Sequence, residues 1–66
     1  MKHISINGEA KQITCLNISQ LIEELNMEDK RFAIELNQII IPKSKFKQTL
    51  IADQDRIEII HAVGGG

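Results

Sequence analysis

Leu16-Asn17-Ile18-Ser19-Gln20-Leu21-Ile22-Glu23-Glu24-Leu25-Asn26 is the stretch that decides the fold, because it alone carries a helical period in a chain otherwise patterned for strands. Ile18, Leu21, Ile22 and Leu25 follow the i, i+3, i+4, i+7 spacing of one apolar stripe, which leaves Glu23 and Glu24 for water. Asn17 is placed to cap the helix, Gln20 stands three residues on as in a capping box, and Leu16 is spaced to staple against Leu21. Asn26 supplies a left-handed stop. One amphipathic helix must lay its stripe across something apolar, and the flanking sequence predicts a sheet.

Toward the amino terminus, residues 2–7 alternate with Ile4 and Ile6 on one face, and residues 10–14 offer a second strand beyond the turn signal Asn7-Gly8-Glu9. A type I′ turn would centre on Asn7-Gly8. A type II′ turn on Gly8-Glu9 would set Ile13 opposite Ile4, and this second register is the expectation. Beyond the helix, Phe32, Ile34 and Leu36 alternate with Ala33 and Glu35, Asn37-Gln38 turns the chain, and residues 39–41 form a short strand. That strand is at an edge or ends there, because Pro42 cannot donate to a ladder. Residues 56–62 make the last strand. The order is β, β, α, β, β, β, and a right-handed crossover places the last strand parallel to the first. The expected fold class is therefore α+β: a ubiquitin-like β-grasp, with a mixed sheet of four to five strands and one helix packed across it. Its core should be Ile4, Ile6, Ile13, Leu21, Ile22, Leu25, Ile34, Leu36, Ile57 and Ile59.

Composition agrees with that architecture and excludes several functions. The 66 residues form one domain with room for one small core. Thirteen isoleucines against two phenylalanines favour a pleated sheet. Eight basic against nine acidic residues leave no electrostatic footprint for nucleic acid. One cysteine forms no internal disulfide, and small secreted domains are usually stapled by disulfides or a metal, so a cytoplasmic location is expected. The first residues carry no apolar run suited to a signal peptide. The longest apolar stretch, residues 39–42, falls far short of a membrane span.

Chemistry-bearing residues are few. Phosphate loops, dinucleotide glycines, HExxH and CxxC are all lacking, so no cofactor, metal or nucleotide site of the chain's own is expected. His3 and His61 fall on strands that a β-grasp makes neighbours, but two histidines without a third ligand read as surface residues. Cys15 precedes the helix cap and is better read as a small hydrophobe than as an activated thiol. Lys43, Lys45 and Lys47 alternate around Ser44 and Phe46, which suits either an acidic partner or a solvated loop. Asp53 and Asp55 flank Gln54 and read as a turn.

The carboxyl end is different. An apolar strand runs directly into Gly64-Gly65-Gly66, so the domain is residues 1–63 with a flexible glycine tail at 64–66. Without a Cβ, glycines enter slots closed to other residues, and three of them extend about 10 Å. If Ile57 and Ile59 point inward, Ile60 and Ala62 turn outward beside the tail as a partner docking face. A carboxylate resists nucleophilic attack until it is activated. Attack on the α-phosphate of ATP would make an acyl-adenylate, from which a sulfur nucleophile displaces AMP. The ATP and magnesium would belong to the activating partner.

Five segments match one family: Ile4-Ser5-Ile6-Asn7-Gly8-Glu9, residues 18–25, Ala33-Ile34-Glu35-Leu36-Asn37, Ile41-Pro42-Lys43, and Arg56-Ile57-Glu58-Ile59-Ile60 leading to Val63-Gly64-Gly65-Gly66. In these the chain resembles the ubiquitin-like sulfur carriers of thiamine biosynthesis, the last segment being the specific one. Members usually show Asp-Gly-Asp where this chain has Asp53-Gln54-Asp55, which makes a residue at φ > 0 less comfortable there. The resemblance implies a protein cosubstrate rather than an enzyme. Gly66 would be adenylated by an E1-like enzyme, with Gly64 and Gly65 threading into its site, and converted to a thiocarboxylate through a sulfur relay of the cysteine desulfurase type. The sulfur would pass to thiazole synthase. A molybdopterin-synthase small-subunit type of carrier, a ubiquitin-like modifier and a plain binding module are the alternatives.

Overall fold

Asparagine and glycine in the left-handed region set the hairpins, and the hairpins set the sheet. The structure, a computed structural model, describes residues 1–61. Its elements are β1 (Lys2–Ile6), β2 (Glu9–Ile13), α1 (Ile18–Glu24), β3 (Phe32–Leu36), β4 (Ile39–Ile41), a 3-10 turn at Lys43–Lys45, and β5 (Arg56–His61). The strands form one five-stranded sheet in the order β2-β1-β5-β3-β4. β1 and β5 are parallel at its centre and every other pair is antiparallel. This is the expected β-grasp, with β4 at an edge and Pro42 directly after it. Ala62, Gly64, Gly65 and Gly66, and with them the expected flexible tail, lie outside the described residues.

The first hairpin corrects the expected register. Asn7 (φ 51) and Gly8 (φ 83) both occupy the left-handed region, Ile6 pairs with Glu9, and Ile13 pairs with Lys2 rather than Ile4. This is the two-residue Asn-Gly turn whose twist matches that of its strands. The two registers differ by a slip of two residues, which leaves every side chain on its own face. Face alternation therefore had no power to choose between them, and turn geometry did. Asn37 (φ 51) and Gln38 (φ 72) make the same kind of turn between β3 and β4.

The helix begins and ends as its sequence predicts, with two differences. Asn17 Oδ1 accepts from the Gln20 N–H at 2.8 Å. Gln20 Oε1 reaches back to the Leu16 N–H at 2.7 Å, one residue before the position a capping box would serve. Leu16 is 59% exposed, so the staple to the buried Leu21 does not form. At the other end Asn26 (φ 57) is the left-handed residue. Its N–H bonds Glu23 O and the Met27 N–H bonds Ile22 O, both at 3.1 Å, which is a Schellman ending. The remaining early N–H groups find distant partners: Ile18 donates to Thr49 O and Ser19 to Phe46 O.

Those bonds tie α1 to the irregular segment after β4, and that segment supplies core residues the periodicity did not show. From it Phe46 and Ile51 are buried, together with Cys15, with Ile18 of the helix stripe, and with Ile4, Ile6, Ile13, Leu21, Ile22, Ile34, Ile57 and Ile59. Leu25 and Leu36, expected inside, are only partly buried against this cluster. Phe46 packs its ring against Phe32, with centroids 6.1 Å apart.

Candidate functional site at the end of the last strand

β5 is the element that leads toward residues 64–66, and its side chains alternate as expected. Ile57 and Ile59 are buried, while Glu58 and Ile60 face out, with Ile60 48% exposed. Ile60 pairs with Ala33 on β3, and Glu35 of β3 lies between Glu58 and Ile40. The outer face of the sheet thus carries an apolar strip, Ile60, Ala33 and Ile40, flanked by two carboxylates. Ala62, the other expected docking residue, lies outside the described residues.

A pair of left-handed asparagines adds to the ladders that hold β5. Asn7 donates its N–H to Ile57 O at 3.0 Å and accepts the Ile59 N–H on Oδ1 at 2.8 Å, so it prolongs the parallel ladder beyond the end of β1. Asn37 bonds both backbone groups of Arg56, donating to its O at 2.7 Å and accepting from its N–H at 2.9 Å. Its Nδ2 also donates to Asp55 Oδ1 at 3.0 Å. The sequence marked both asparagines only as turn residues. Their second role was hidden because their partners lie 52 and 19 positions away.

The remaining candidates resolve as local structure. Asp53 and Asp55 are turn residues: Asp53 Oδ1 accepts the His3 N–H at 2.6 Å and Asp55 Oδ2 accepts the Ala52 N–H at 2.8 Å. The bond from the His3 backbone holds the Asp53 carboxyl below its ordinary value. Gln54 takes φ 73, a left-handed conformation that a glycine would adopt more comfortably. His3 sits two residues before Ser5, which pairs with Arg56, and His61 ends β5, so the histidines stand at opposite ends of the parallel pair. They are on the order of 20 Å apart along the strands, which rules out a shared metal ion. No cluster of three metal-ligating side chains occurs among the described residues. Cys15 is buried, and its thiol donates to the Glu24 carboxylate. Burial first, then Glu24, pushes that thiol up from its ordinary value, the opposite of activation. No helix among the described residues is long and apolar enough to cross a membrane.

Fold and site together define a ubiquitin-like β-grasp domain whose last strand, held over its first four residues by Asn37 and Asn7, leads in sequence into a glycine segment. Among solved structures, the crystal structure of a thiamine biosynthesis protein (ThiS) from Geobacter metallireducens superposes with a TM-score of 0.83 at 25% identity. The match covers 97% of this chain and 99% of that one. The chain belongs to the ThiS family, whose sequence model matches residues 4–66. Three relatives show how that likeness is distributed. An uncharacterized protein of Porphyra purpurea, ycf40, is 40% identical over 98% of this chain and 96% of its own length. The sulfur carrier protein ThiS of Bacillus subtilis is 39% identical over 74% of each chain. A thiazole synthase of Paramagnetospirillum magneticum is 36% identical over 92% of this chain but only 19% of its own length.

Proposed function

We propose that this protein is a cytoplasmic sulfur carrier for the thiazole moiety of thiamine, acting as a protein cosubstrate rather than a catalyst. The observation that carries the reading is a family match that runs from β1 through the glycine segment to residue 66. The carboxylate of Gly66 is the covalent site. Its oxygen attacks the α-phosphorus of ATP on an E1-like partner. A new O–P bond forms, the α–β anhydride breaks, and pyrophosphate leaves. The mixed anhydride gives the acyl carbon the leaving group that a carboxylate lacks. A persulfide of a relay of the cysteine desulfurase type then attacks that carbon through its terminal sulfur and AMP departs, leaving an acyl disulfide. A thiol attacks the relay's own sulfur and breaks the S–S bond, so the thiocarboxylate leaves, the thiol and the relay end as a disulfide, and sulfur has replaced oxygen at the chain end. Gly64 and Gly65 thread the partner's site, where a Cβ would meet the walls.

The receiving partner is thiazole synthase. Support comes from the thiazole synthase of Paramagnetospirillum magneticum, which carries a segment similar to this chain within one longer polypeptide. Ile60 and Ala62 form the docking face, because an exposed isoleucine beside the strand that leads to the tail offers apolar area where the partner must approach.

Incubation with the activating enzyme, ATP and a sulfur donor tests the proposal. The native chain should release pyrophosphate and gain the mass difference between sulfur and oxygen. A chain lacking Gly66, or extended by one residue, should fold normally and do neither. A native chain that never gains sulfur overturns the carrier function, and an extended chain thiolated at its new end overturns the requirement for Gly66.

A further inference from the structure

The Asn7-Gly8 turn that sets the register of the first hairpin also joins two groups that can react with each other. In an Asn-Gly linkage the backbone nitrogen of the second residue can close an imide ring on the side-chain carboxamide carbon of the first, and no Cβ shields that nitrogen. Asn7 and Gly8 are both exposed. Gly8 takes φ 83, and a Cβ there would meet nothing within 4 Å, so conformation rather than space calls for glycine and the linkage is open to water. The chain has three other asparagines, and none precedes a glycine: Asn17 precedes the β-branched Ile18, Asn26 precedes Met27, and Asn37 precedes Gln38. Asn37 is the sharpest comparison, because it holds the same left-handed turn conformation at φ 51.

What the fold adds is a restraint. Asn7 Oδ1 accepts the Ile59 N–H at 2.8 Å, and the Asn7 N–H donates to Ile57 O at 3.0 Å. Closing the ring requires the carboxamide to rotate, and the bond to Ile59 opposes that rotation. Reaction in the native protein therefore waits on a local opening, which costs less than unfolding the whole domain.

We propose that Asn7 is a site of spontaneous deamidation gated by its bond to Ile59, and that the isoaspartate formed there unfastens β5. When the bond opens, the Gly8 nitrogen attacks Asn7 Cγ. The new C–N bond closes a cyclic imide, the Cγ–Nδ2 bond breaks, and ammonia leaves with the proton that the Gly8 nitrogen gives up. Water then opens the imide at either carbonyl. Opening at the side-chain carbonyl gives aspartate, whose carboxylate still accepts the Ile59 N–H. Opening at the main-chain carbonyl gives isoaspartate: the backbone now runs through Cβ and Cγ, one methylene longer, and the former side-chain carbonyl has become part of the peptide link. A two-residue turn cannot absorb that methylene and keep both the Ile6–Glu9 pair and the bond to Ile59. The residue that fastens the strand leading to the glycine segment thus sets a lifetime on the fastening. The inference does not depend on sulfur transfer.

The test holds the full chain folded in mildly alkaline buffer and, in parallel, unfolded in guanidinium. Intact mass and peptide mapping follow the change from carboxamide to carboxyl, and an isoaspartyl methyltransferase with a labelled methyl donor detects the isoaspartate. Conversion should map to Asn7 while Asn17, Asn26 and Asn37 stay intact, and should be at least tenfold slower folded than unfolded. Guanidinium below the unfolding transition should speed it in proportion to the exchange of the Ile59 amide hydrogen. The isoaspartate chain, separated by chromatography, should exchange that hydrogen at least tenfold faster than the parent, whereas Asn7→Asp should exchange it no faster and keep the parent's thermal midpoint. Equal rates in the folded and unfolded chains, or rates that do not follow Ile59 exchange, overturn the gating. A folded chain still intact at Asn7 after several weeks, or one that converts first at another asparagine, overturns the site. An isoaspartate chain with the parent's protection at Ile59 overturns the unfastening.

Discussion

The side chain of Asn7 accepts the backbone N–H of Ile59 at 2.8 Å, across 52 positions of sequence. One residue therefore makes the first hairpin turn and holds the strand that leads to the glycine segment. Its left-handed φ aims the side chain, and the side chain closes a ladder position that β1 is too short to fill.

Replacing Asn7 separates those roles. Asn7→Gly keeps the conformation and loses the bond, so it should cost about 1 kcal/mol. Asn7→Ala should cost about 1 kcal/mol more, because alanine is strained at φ > 0. Denaturant melts of the two variants check this; equal stability of Asn7→Gly and the parent would show that the bond adds nothing.

Gln54 is the reverse case. It holds φ 73, where its side chain makes only one exposed bond, from Nε2 to Asp53 Oδ2 at 3.3 Å, and its backbone N–H donates to His3 O at 2.6 Å. Gln54→Gly should therefore raise stability by about 1 kcal/mol. A loss of stability would mean that the glutamine side chain contributes more than the strain costs.

Asp53 gives the fold an acid dependence of known sign. Its pKa is lowered in the folded state, chiefly by the His3 N–H, so its contribution is present above the unfolded value of about 3.9 and is lost as pH falls through the lower folded value. Asp53→Asn cannot ionise. The stability difference between parent and variant should be constant near neutrality and shrink below about pH 4, as read from melts across that range. A difference independent of pH would remove Asp53 from the acid response.

Leu21 lies at the centre of the helix stripe and is 2% exposed. Leu21→Ala should cost roughly 2 to 5 kcal/mol in the same melts. A loss within their error would mean that the stripe does not carry the helix–sheet contact.

Ile60→Asp should melt with the parent, since Ile60 is 48% exposed, yet bind the activating enzyme more weakly. It would bury an unpaired charge in an apolar contact. A calorimetric titration with unchanged affinity would exclude Ile60 from the docking face.

Cys15 should be slow to alkylate in the native protein, because burial and the Glu24 carboxylate both disfavour its thiolate. Glu24→Gln removes the charge and should speed the reaction, as followed by intact mass against time. Rapid alkylation of the parent at neutral pH would contradict the buried thiol–carboxylate contact.

The amino-acid sequence by itself determined the order of elements, the inward and outward face of each strand, the helix cap at Asn17 and the stop at Asn26. These are local properties, set by residues within one or two turns of each other, and the period of an apolar pattern states them directly. It also marked the glycine segment, because three such residues after an apolar strand have no packing role. Only the tertiary structure decided the hairpin register, since a slip of two residues changes no face. It alone buried Phe46 and Ile51, which belong to no periodic element and are drawn in by bonds from Ile18 and Ser19. It also gave Asn7 and Asn37 their hold on β5 and sent His3 and His61 to opposite ends of a parallel pair. Apart from the register, which the Asn7-Gly8 turn geometry chose, each of these is a relation between residues far apart in the chain, and no short window of sequence contains both sides of it.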